Sequence, residues 1–236
     1  YMVNREGALE EIVKSIRIVI EEGIRVSVNM IISEANRADI YSTAKLCSEL
    51  GVQRLFATRM VPSVRDQEFS ETDRKLDQES ALEALEELIR ARDDFDIAIG
   101  TLISYPLCLL GDLEKFGDFV GRGCPAQRGN RMVVSANGDT HACTHEEISY
   151  GNVFETGIKP AFKKMAAWHD NSYHFDECND CKYLKVCQSG CRSAAQAYFR
   201  DMKAKDPLFM GYEAIHTHFK LEIPPEVEEA VDQGEL

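Results

Sequence analysis

The sequence is poor in positive charge and lacks any long apolar segment. Its 236 residues include 27 Lys and Arg against 40 Asp and Glu, for a formal charge of −13. A face that binds nucleic acid or an anionic membrane needs basic residues, so neither partner is expected. No apolar run approaches the roughly 18 residues of a membrane span, and the charged N-terminal stretch does not resemble a signal peptide. We therefore expect a cytoplasmic protein.

The first 107 residues alternate between helical and strand patterns. Apolar residues recur at helical spacing from Leu9 to Ile20, and Gly23 has the position of a helix-ending glycine. The other predicted elements are helices over 36–50 and 77–92 and strands over 24–31, 52–60 and 96–104. This order is typical of βαβ units. It predicts an α/β fold with parallel strands.

The first predicted strand has one polar face. Ile24, Val26 and alternate residues after them are apolar, whereas Arg25, Ser27 and Asn29 between them are polar. A strand that is buried on both faces is almost entirely apolar. The alternation therefore predicts either a barrel lumen or cleft that holds a polar ligand, or an edge strand with one solvated face.

Cysteines are concentrated in the C-terminal half. Of the eight cysteines, six lie between Cys124 and Cys191. Clustered cysteines without a secretory signal indicate metal binding more often than disulfides. The dipeptide Asn137-Gly138 predicts a β-hairpin turn, which brings Cys143 back toward the level of Cys124. Two separate regions of the chain thus present thiols to metal.

Cysteine spacing favours iron–sulfur clusters over zinc. The two motifs are Cys124-x13-Gly138-x4-Cys143 and Cys178-x2-Cys181-x5-Cys187-x3-Cys191. A structural zinc site usually has two tight pairs of ligands, and only one tight pair is present here. A cubane cluster tolerates wider spacing because it presents four separate irons. A zinc site stays open as the alternative at this point.

The composite cysteine pattern is similar to the SPASM domain of radical S-adenosylmethionine enzymes. Neighbouring segments agree with this resemblance: Ala136-Asn137-Gly138-Asp139, Gly151-Asn152-Val153, Trp168 and Ser189-Gly190-Cys191-Arg192. The resemblance covers about residues 108–209, and the preceding βαβαβ stretch looks like the later strands of a partial TIM-type barrel. It implies a barrel fragment over residues 1–107 and a small α+β, cysteine-rich SPASM domain with an acidic tail over residues 108–236.

The resemblance implies two auxiliary [4Fe–4S] clusters in the second domain. The ligands that it implies are Cys124, Cys143 and Cys191 for the first cluster and Cys178, Cys181 and Cys187 for the second. The family often adds a cysteine upstream of the first cluster motif. Cys108 is the candidate here, although a buried free cysteine also packs well as a small hydrophobe.

One departure from the family pattern concerns the second cluster. The family closes it with a later cysteine, often after Asp-Pro, but no cysteine follows Cys191 in this chain. The fourth iron is then open to water or substrate, or it takes Asp206, His216 or His218. The alternative for Asp206 is a structural role, in which it caps the turn before Pro207.

The other departure concerns the cluster that starts the radical chemistry. The family holds this third cluster with an N-terminal Cys-x3-Cys-x2-Cys motif, which the sequence lacks. The chain also opens on Tyr1 without an initiator methionine. We expect the first barrel strands and the third cluster to lie upstream, so the fragment alone should not generate a radical.

Several other residues are candidates for smaller roles. Asn29 on the first strand and Arg59 at the end of the second lie where barrel strands supply cofactor contacts, and the resemblance implies contact with S-adenosylmethionine. A polar filler of the lumen and a surface arginine are the plain alternatives. His141 and His145 flank Cys143 and could tune a cluster, or are simply exposed hairpin positions. Cys47 is expected in the core.

The resemblance implies an enzyme that modifies a ribosomally made peptide or protein. S-adenosylmethionine is the radical source, the product is an oxidised or cross-linked side chain, and a flavodoxin or ferredoxin is the expected reductant. One alternative is an iron–sulfur electron-transfer or scaffold module without this activity. A second alternative is a structural zinc protein, which analysis of metal and acid-labile sulfide distinguishes from both.

Overall fold

The computed structural model describes residues 5–62 and 75–218. Within them the α-helices are Ala8–Glu21 (α1), Ile40–Glu49 (α2), Gln78–Phe95 (α3), Leu107–Leu110 (α4), Val153–Thr156 (α5), Ile158–Lys164 (α6), Ala166–His169 (α7), Leu184–Cys187 (α8) and Arg192–Phe199 (α9). The strands are Ser27–Ile32 (β1), Arg54–Arg59 (β2), Ala98–Gly100 (β3), Val133–Val134 (β4) and Thr140–His141 (β5). The predicted acidic tail lies outside the described residues. Among the helices described, none has the length and apolarity to cross a membrane.

A parallel sheet in the order β1-β2-β3 organises the N-terminal half. Ser27 on β1 lies beside Arg54 on β2, and Arg54 lies beside Ala98 on β3. Each crossover passes through a helix, α2 after β1 and α3 after β2, as parallel pairing requires. The predicted α/β fold with parallel strands is confirmed, although the strands are shorter than the sequence pattern suggests.

Helix α3 shows why the helices attach to this sheet. It begins at a capping box, in which Asp77 accepts the Ser80 amide at 2.8 Å and the Ser80 hydroxyl accepts the Asp77 amide at 3.0 Å. Ala81, Leu85 and Leu88 recur at helical spacing and are fully buried in the core with strand residues. Full burial of each leucine contributes roughly 1.5–3 kcal/mol, so this stripe holds the helix in place.

Strand β1 is an edge of the sheet in the part of the chain that the structure describes. Ser27 and Asn29 are exposed on its polar face, while Ile32 at its end is fully buried. The preceding helix α1 ends at Glu21. Gly23 follows its C-cap, as predicted, and has a φ of 74°, which glycine adopts without strain. This exposure is expected of an open barrel lumen as well as of an edge strand, so both alternatives of the sequence analysis stay predictions.

One hydrophobic core continues across the domain boundary predicted near residue 107. Four large side chains beyond it, Leu109, Leu113, Phe116 and Phe119, are buried with those of the sheet and its helices. Leu208, much later in the chain, joins the same core. The C-terminal region is therefore anchored to the sheet by apolar burial, and the exact boundary between the domains stays a prediction.

A second, smaller core lies under the predicted hairpin. Strands β4 and β5 pair antiparallel with Val133 beside His141, which confirms the hairpin, and Gly138 in the turn has a φ of 90°. Trp168 and Met165 from the following helices are buried beneath it together with Cys143. This packing fixes the part of the chain that carries Cys143.

Candidate metal centres

Four cysteines line one pocket of the C-terminal region. Cys108, Cys178, Cys181 and Cys187 share it with Pro106, Leu107, Leu184, Phe209 and Ile215, and its surface is almost wholly apolar. We call these four cysteines the closed sulfur site. The structure thus brings Cys108 to the second group of cysteines instead of to Cys124. Which cluster each cysteine ligates stays a prediction.

Short local structures aim the four thiols at the pocket. Cys108 lies on α4, which begins directly after Pro106, and Cys187 is the last residue of α8. The turn of Cys178 and Cys181 is closed by a hydrogen bond from the Cys181 amide to the Cys178 carbonyl at 3.0 Å. Backbone amides donate to two of the sulfurs, Leu107 to Cys187 at 3.5 Å and Met210 to Cys108 at 3.3 Å. Such amide contacts stabilise thiolates.

The closed sulfur site has apolar walls, with Cys108 and Cys178 buried and Cys181 and Cys187 half-buried. Burial raises the pKa of Cys108 to about 11 and that of Cys187 to about 12. Because a bound metal ion deprotonates a coordinating thiol, these cysteines become thiolates when metal arrives. The chemistry of four soft sulfur donors in an apolar wall fits an iron–sulfur cluster.

The four cysteines line a cavity and, in the described structure, are not grouped as the ligands of a single ion. Within residues 5–62 and 75–218, no three His, Cys, Asp or Glu side chains are grouped closely enough to hold a single metal ion. A cubane differs from a single ion because its irons lie at separate corners, each with its own thiolate. A cavity lined by four spaced sulfurs is the arrangement that such a cluster needs.

Cys124, Cys143 and Cys191 form a second group, which we call the open sulfur site. The thiolates of Cys124 and Cys143 are close enough to Cys191 to add to the effect of burial, which raises the pKa of Cys191 to about 12. Cys191 is also the N-cap of α9 and accepts the Ala194 amide at 3.4 Å. The three thiols predicted for the first cluster therefore lie together in the structure.

Polar side chains surround the open sulfur site. The Cys124 amide donates to the Gln188 side chain at 2.9 Å, and Nδ1 of His145 lies 3.7 Å from the Cys143 sulfur. Burial raises the pKa of Cys143, but hydrogen bonds from His145 and Ser193 outweigh burial and lower it to about 7. His141, in contrast, bonds the Ile148 carbonyl at 2.9 Å. Of the two predicted histidines, only His145 reaches sulfur.

An open cavity borders the open sulfur site. Its walls include Cys143, His145 and Glu147 from the hairpin region, and Val61 from the segment that follows β2. The end of a sheet strand and a sulfur site thus face the same space.

Arg59 and Asp206 form a buried ion pair between the sheet and the C-terminal region. Two guanidinium nitrogens of Arg59 contact the Asp206 carboxylate at 2.8 and 2.6 Å, and the second also donates to the Ser104 carbonyl at 2.8 Å. Burial lowers the pKa of Arg59 and raises that of Asp206, but the pair outweighs burial in both cases. Each group thus stays charged because of the other.

Asp206 also holds the backbone of the open sulfur site. It accepts the Cys191 amide at 2.8 Å and the Leu208 amide at 2.9 Å. Each carboxylate oxygen thus accepts two hydrogen bonds. The bond from Leu208 caps the turn at Pro207, as the structural alternative predicts, and these bonds disfavour ligation of a cluster by Asp206, which stays a prediction. His216 bonds the Ala214 carbonyl and His218 bonds Tyr183, and neither histidine lines the closed sulfur site.

The two predicted cofactor-binding residues differ in solvent exposure and in their contacts. Asn29 is exposed and accepts the Thr58 hydroxyl at 2.6 Å, which in turn accepts the Leu102 amide at 3.2 Å. Arg59 is buried and occupied by Asp206. Contact with S-adenosylmethionine stays a prediction for both residues.

Sequence reasoning missed three supports of these sites. Arg192, which directly follows Cys191, is fully buried. Trp168 donates to Glu146 and to the Tyr150 hydroxyl, both at 3.0 Å, beneath the hairpin. Asp206 was considered only as a ligand or a turn cap. A charged residue within a cysteine motif was the available signal for Arg192.

Comparison with solved structures identifies the fold. The structure called native anSMEcpe with bound AdoMet has a TM-score of 0.65 and 15% identity, and the match covers 95% of this chain and 62% of that one. The structure of SuiB from Streptococcus suis has a TM-score of 0.56 and 16% identity, covering 88% and 49%. Fold and sulfur sites together define the class: this is a protein with the fold of radical S-adenosylmethionine enzymes.

Sequence comparison points the same way. The AdoMet-dependent heme synthase of Nitratidesulfovibrio vulgaris is 24% identical over 221 residues, covering 86% of this chain. The match spans 58% of the relative, so this chain corresponds to little more than half of its length. No protein-family model matches the chain. The resemblance to radical S-adenosylmethionine enzymes predicted from the cysteine pattern is confirmed.

Proposed function

We propose that this chain is part of a radical S-adenosylmethionine enzyme that oxidises or cross-links a peptide or protein substrate. In this proposal residues 108–236 are a SPASM domain with two auxiliary [4Fe–4S] clusters. The closed sulfur site holds one with Cys108, Cys178, Cys181 and Cys187, and the open sulfur site holds the other with Cys124, Cys143 and Cys191. Bound clusters supply electron transfer, and a flavodoxin or ferredoxin is the expected source of electrons.

The observation that carries the proposal is the convergence of seven distant cysteines on two places. Cys108 reaches Cys187 from 79 positions earlier in the chain, and backbone amides already donate to both sulfurs. A cysteine that only packs in the core as a small hydrophobe does not need other cysteines beside it. Cys47 shows the contrast, because it is buried in the sheet core and burial alone raises its pKa.

Relatives support the cofactor and the substrate class. Solved structures of anSMEcpe and SuiB contain AdoMet, and others contain the Cp18Cys peptide or the precursor peptide SuiA. We extend both ligands to this chain by analogy of fold. The cavity beside Cys143 and Val61 is the proposed place of the substrate, since it joins a strand end to a sulfur site.

Metal analysis of the anaerobically reconstituted chain tests the clusters. Two [4Fe–4S] clusters predict about eight irons and about eight acid-labile sulfides per chain. Cys108→Ser and Cys124→Ser are each expected to lower both counts, because each removes one ligand from a different site. Cys47→Ala is the matched control and should retain the full count. Zinc without sulfide, or no bound metal, contradicts the cluster assignment.

Substrate tests need the whole gene product that contains this chain. Under strong reductant it is expected to cleave S-adenosylmethionine to 5′-deoxyadenosine, faster when the peptide substrate is present. Absence of this cleavage with intact clusters refutes the enzyme and leaves the electron-transfer or scaffold alternative.

A second candidate substrate comes from the curated relative, whose name describes heme synthesis. A tetrapyrrole then replaces the peptide in the cavity beside Cys143. Both substrate classes can be offered to the same loaded enzyme, with 5′-deoxyadenosine and substrate mass as readouts. Turnover of the tetrapyrrole alone refutes the peptide assignment while it preserves the radical chemistry.

A further inference from the structure

Buried charge is unbalanced around the two sulfur sites. Arg59, Arg192 and Asp206 are the buried charged side chains of the described residues, each at most 3% exposed. Asp206 neutralises Arg59, which it contacts with both oxygens. Two buried cations therefore share one carboxylate, and one positive charge is left without a bonded counter-ion.

The excess charge resides on Arg192. Its guanidinium donates to the carbonyls of Ala204 at 2.7 Å, Met202 at 3.0 Å and Tyr173 at 3.3 Å, and also to that of Ser189. These are all neutral acceptors. A buried cation that has only neutral partners is costly unless an anion lies nearby, because the protein interior screens charge poorly.

Cysteine thiolates supply these anions when clusters are bound. Arg192 directly follows Cys191 of the open sulfur site, and its bonds reach Ser189, which lines the closed sulfur site. Burial lowers the pKa of Arg192, whereas Asp206 and then the thiolates of Cys191, Cys178 and Cys187 oppose this effect. The guanidinium is thus held beside both sulfur sites, by its position after Cys191 and its bond to the Ser189 carbonyl, and arginine keeps its charge throughout the ordinary pH range.

We propose that Arg192 is a positioning residue whose buried charge sets the reduction potential of both auxiliary clusters. This inference rests on the proposed function, since it assumes that the two sulfur sites hold clusters. Reduction adds one negative charge to a cluster, and a fixed cation beside it favours that form. Arg192 is therefore expected to raise both potentials, which makes the clusters easier to reduce.

Three substitutions separate charge from mere structural support. Arg192→Gln removes the charge and keeps some donors, and Arg192→Lys keeps the charge but loses the planar fork. Arg200→Gln is the control, because it removes an exposed charge from the other end of α9. Each variant is reconstituted anaerobically, its iron and sulfide are counted, and its midpoint potentials are measured by potentiometric titration monitored by electron paramagnetic resonance.

Arg192→Gln is expected to shift both midpoint potentials in the negative direction, by more than the difference between the wild type and Arg200→Gln. Arg192→Lys is expected to restore most of the shift. If Arg192→Gln does not bind clusters while Arg192→Lys does, the result also supports a requirement for the positive charge beside the clusters. Unchanged potentials in Arg192→Gln, or equal defects in both variants, overturn the inference. A wild-type chain that binds no cluster overturns the proposed function itself and this inference with it.

Discussion

The two sulfur sites differ in ligand number, polarity and access. The closed sulfur site has four thiols in an almost wholly apolar pocket, and burial raises the pKa of Cys187 to about 12. The open sulfur site has three thiols in the described structure, and hydrogen bonds from His145 and Ser193 lower the pKa of Cys143 to about 7. An open cavity borders the second site.

This difference suggests that the two proposed clusters have different roles. A cluster held by four cysteines in an apolar pocket has no free position for a further ligand, which suits electron storage and transfer. A site with three cysteines beside an open cavity leaves room for contact with substrate. The Asp206 carboxylate links the two, because it holds the Cys191 amide and also the turn that leads to the Met210 donor of the Cys108 sulfur.

Removal of the charge on Asp206 is expected to damage both sites and gives the largest effect. Asp206→Asn leaves the Arg59 guanidinium buried without its counter-charge, which costs about 3–5 kcal/mol. Chemical denaturation of the metal-free chain measures this loss, and iron analysis should show weaker retention at both sites. Asp201→Asn, an exposed aspartate a few residues earlier, is the control. A loss no larger than that of the control contradicts the linking role.

Trp168 is expected to support the open sulfur site alone. Trp168→Phe keeps an aromatic ring in the core but removes the donor to Glu146 and Tyr150, for a cost of about 1–3 kcal/mol. Glu146 also accepts the Ala142 amide next to Cys143, so its loosening should reach that ligand. Iron should fall toward about four per chain, the content of one cluster. Equal loss from both sites breaks the comparison, and the exposed Phe199→Leu is the control.

Local features of this molecule were predictable from sequence. The helix Gln78–Phe95 follows from its apolar spacing, and the hairpin follows from Asn137-Gly138. Each depends on residues that are close along the chain, where periodicity and turn preferences act. The three thiols of the open sulfur site followed from resemblance to a family, since spacing alone predicted only a thiol-rich metal module.

Long-range partners were not predictable in the same way. Arg59 meets Asp206 across 147 positions, and Cys108 joins Cys187 because α4 packs beside α8 through contacts that no local pattern encodes. Charged residues are mostly exposed in proteins, so the sequence analysis did not predict the burial of Arg192 or the pairing of Arg59. These partners depend on tertiary packing, and that packing decides which site each cysteine serves.

The smallest expected effect distinguishes the two sites through a single hydrogen bond. His145→Gln removes the histidine nitrogen near the Cys143 sulfur, whereas His141→Gln changes a residue that bonds a carbonyl instead. Hydrogen bonds to ligand sulfur stabilise the reduced form of a cluster, so His145→Gln should make the open-site potential more negative. Its effect on folding stability should stay below about 1 kcal/mol.

Midpoint titration of both histidine variants checks this prediction. The closed-site potential should be unchanged in each, because no histidine of the described structure lines that pocket. His141→Gln should match the wild type at both sites. A shift at the closed sulfur site, or equal shifts in the two variants, means that the histidines act through the hairpin as a whole. The polar surroundings of the open sulfur site and the apolar walls of the closed sulfur site then do not explain a difference between their reduction potentials, and the number of cysteine ligands must explain it.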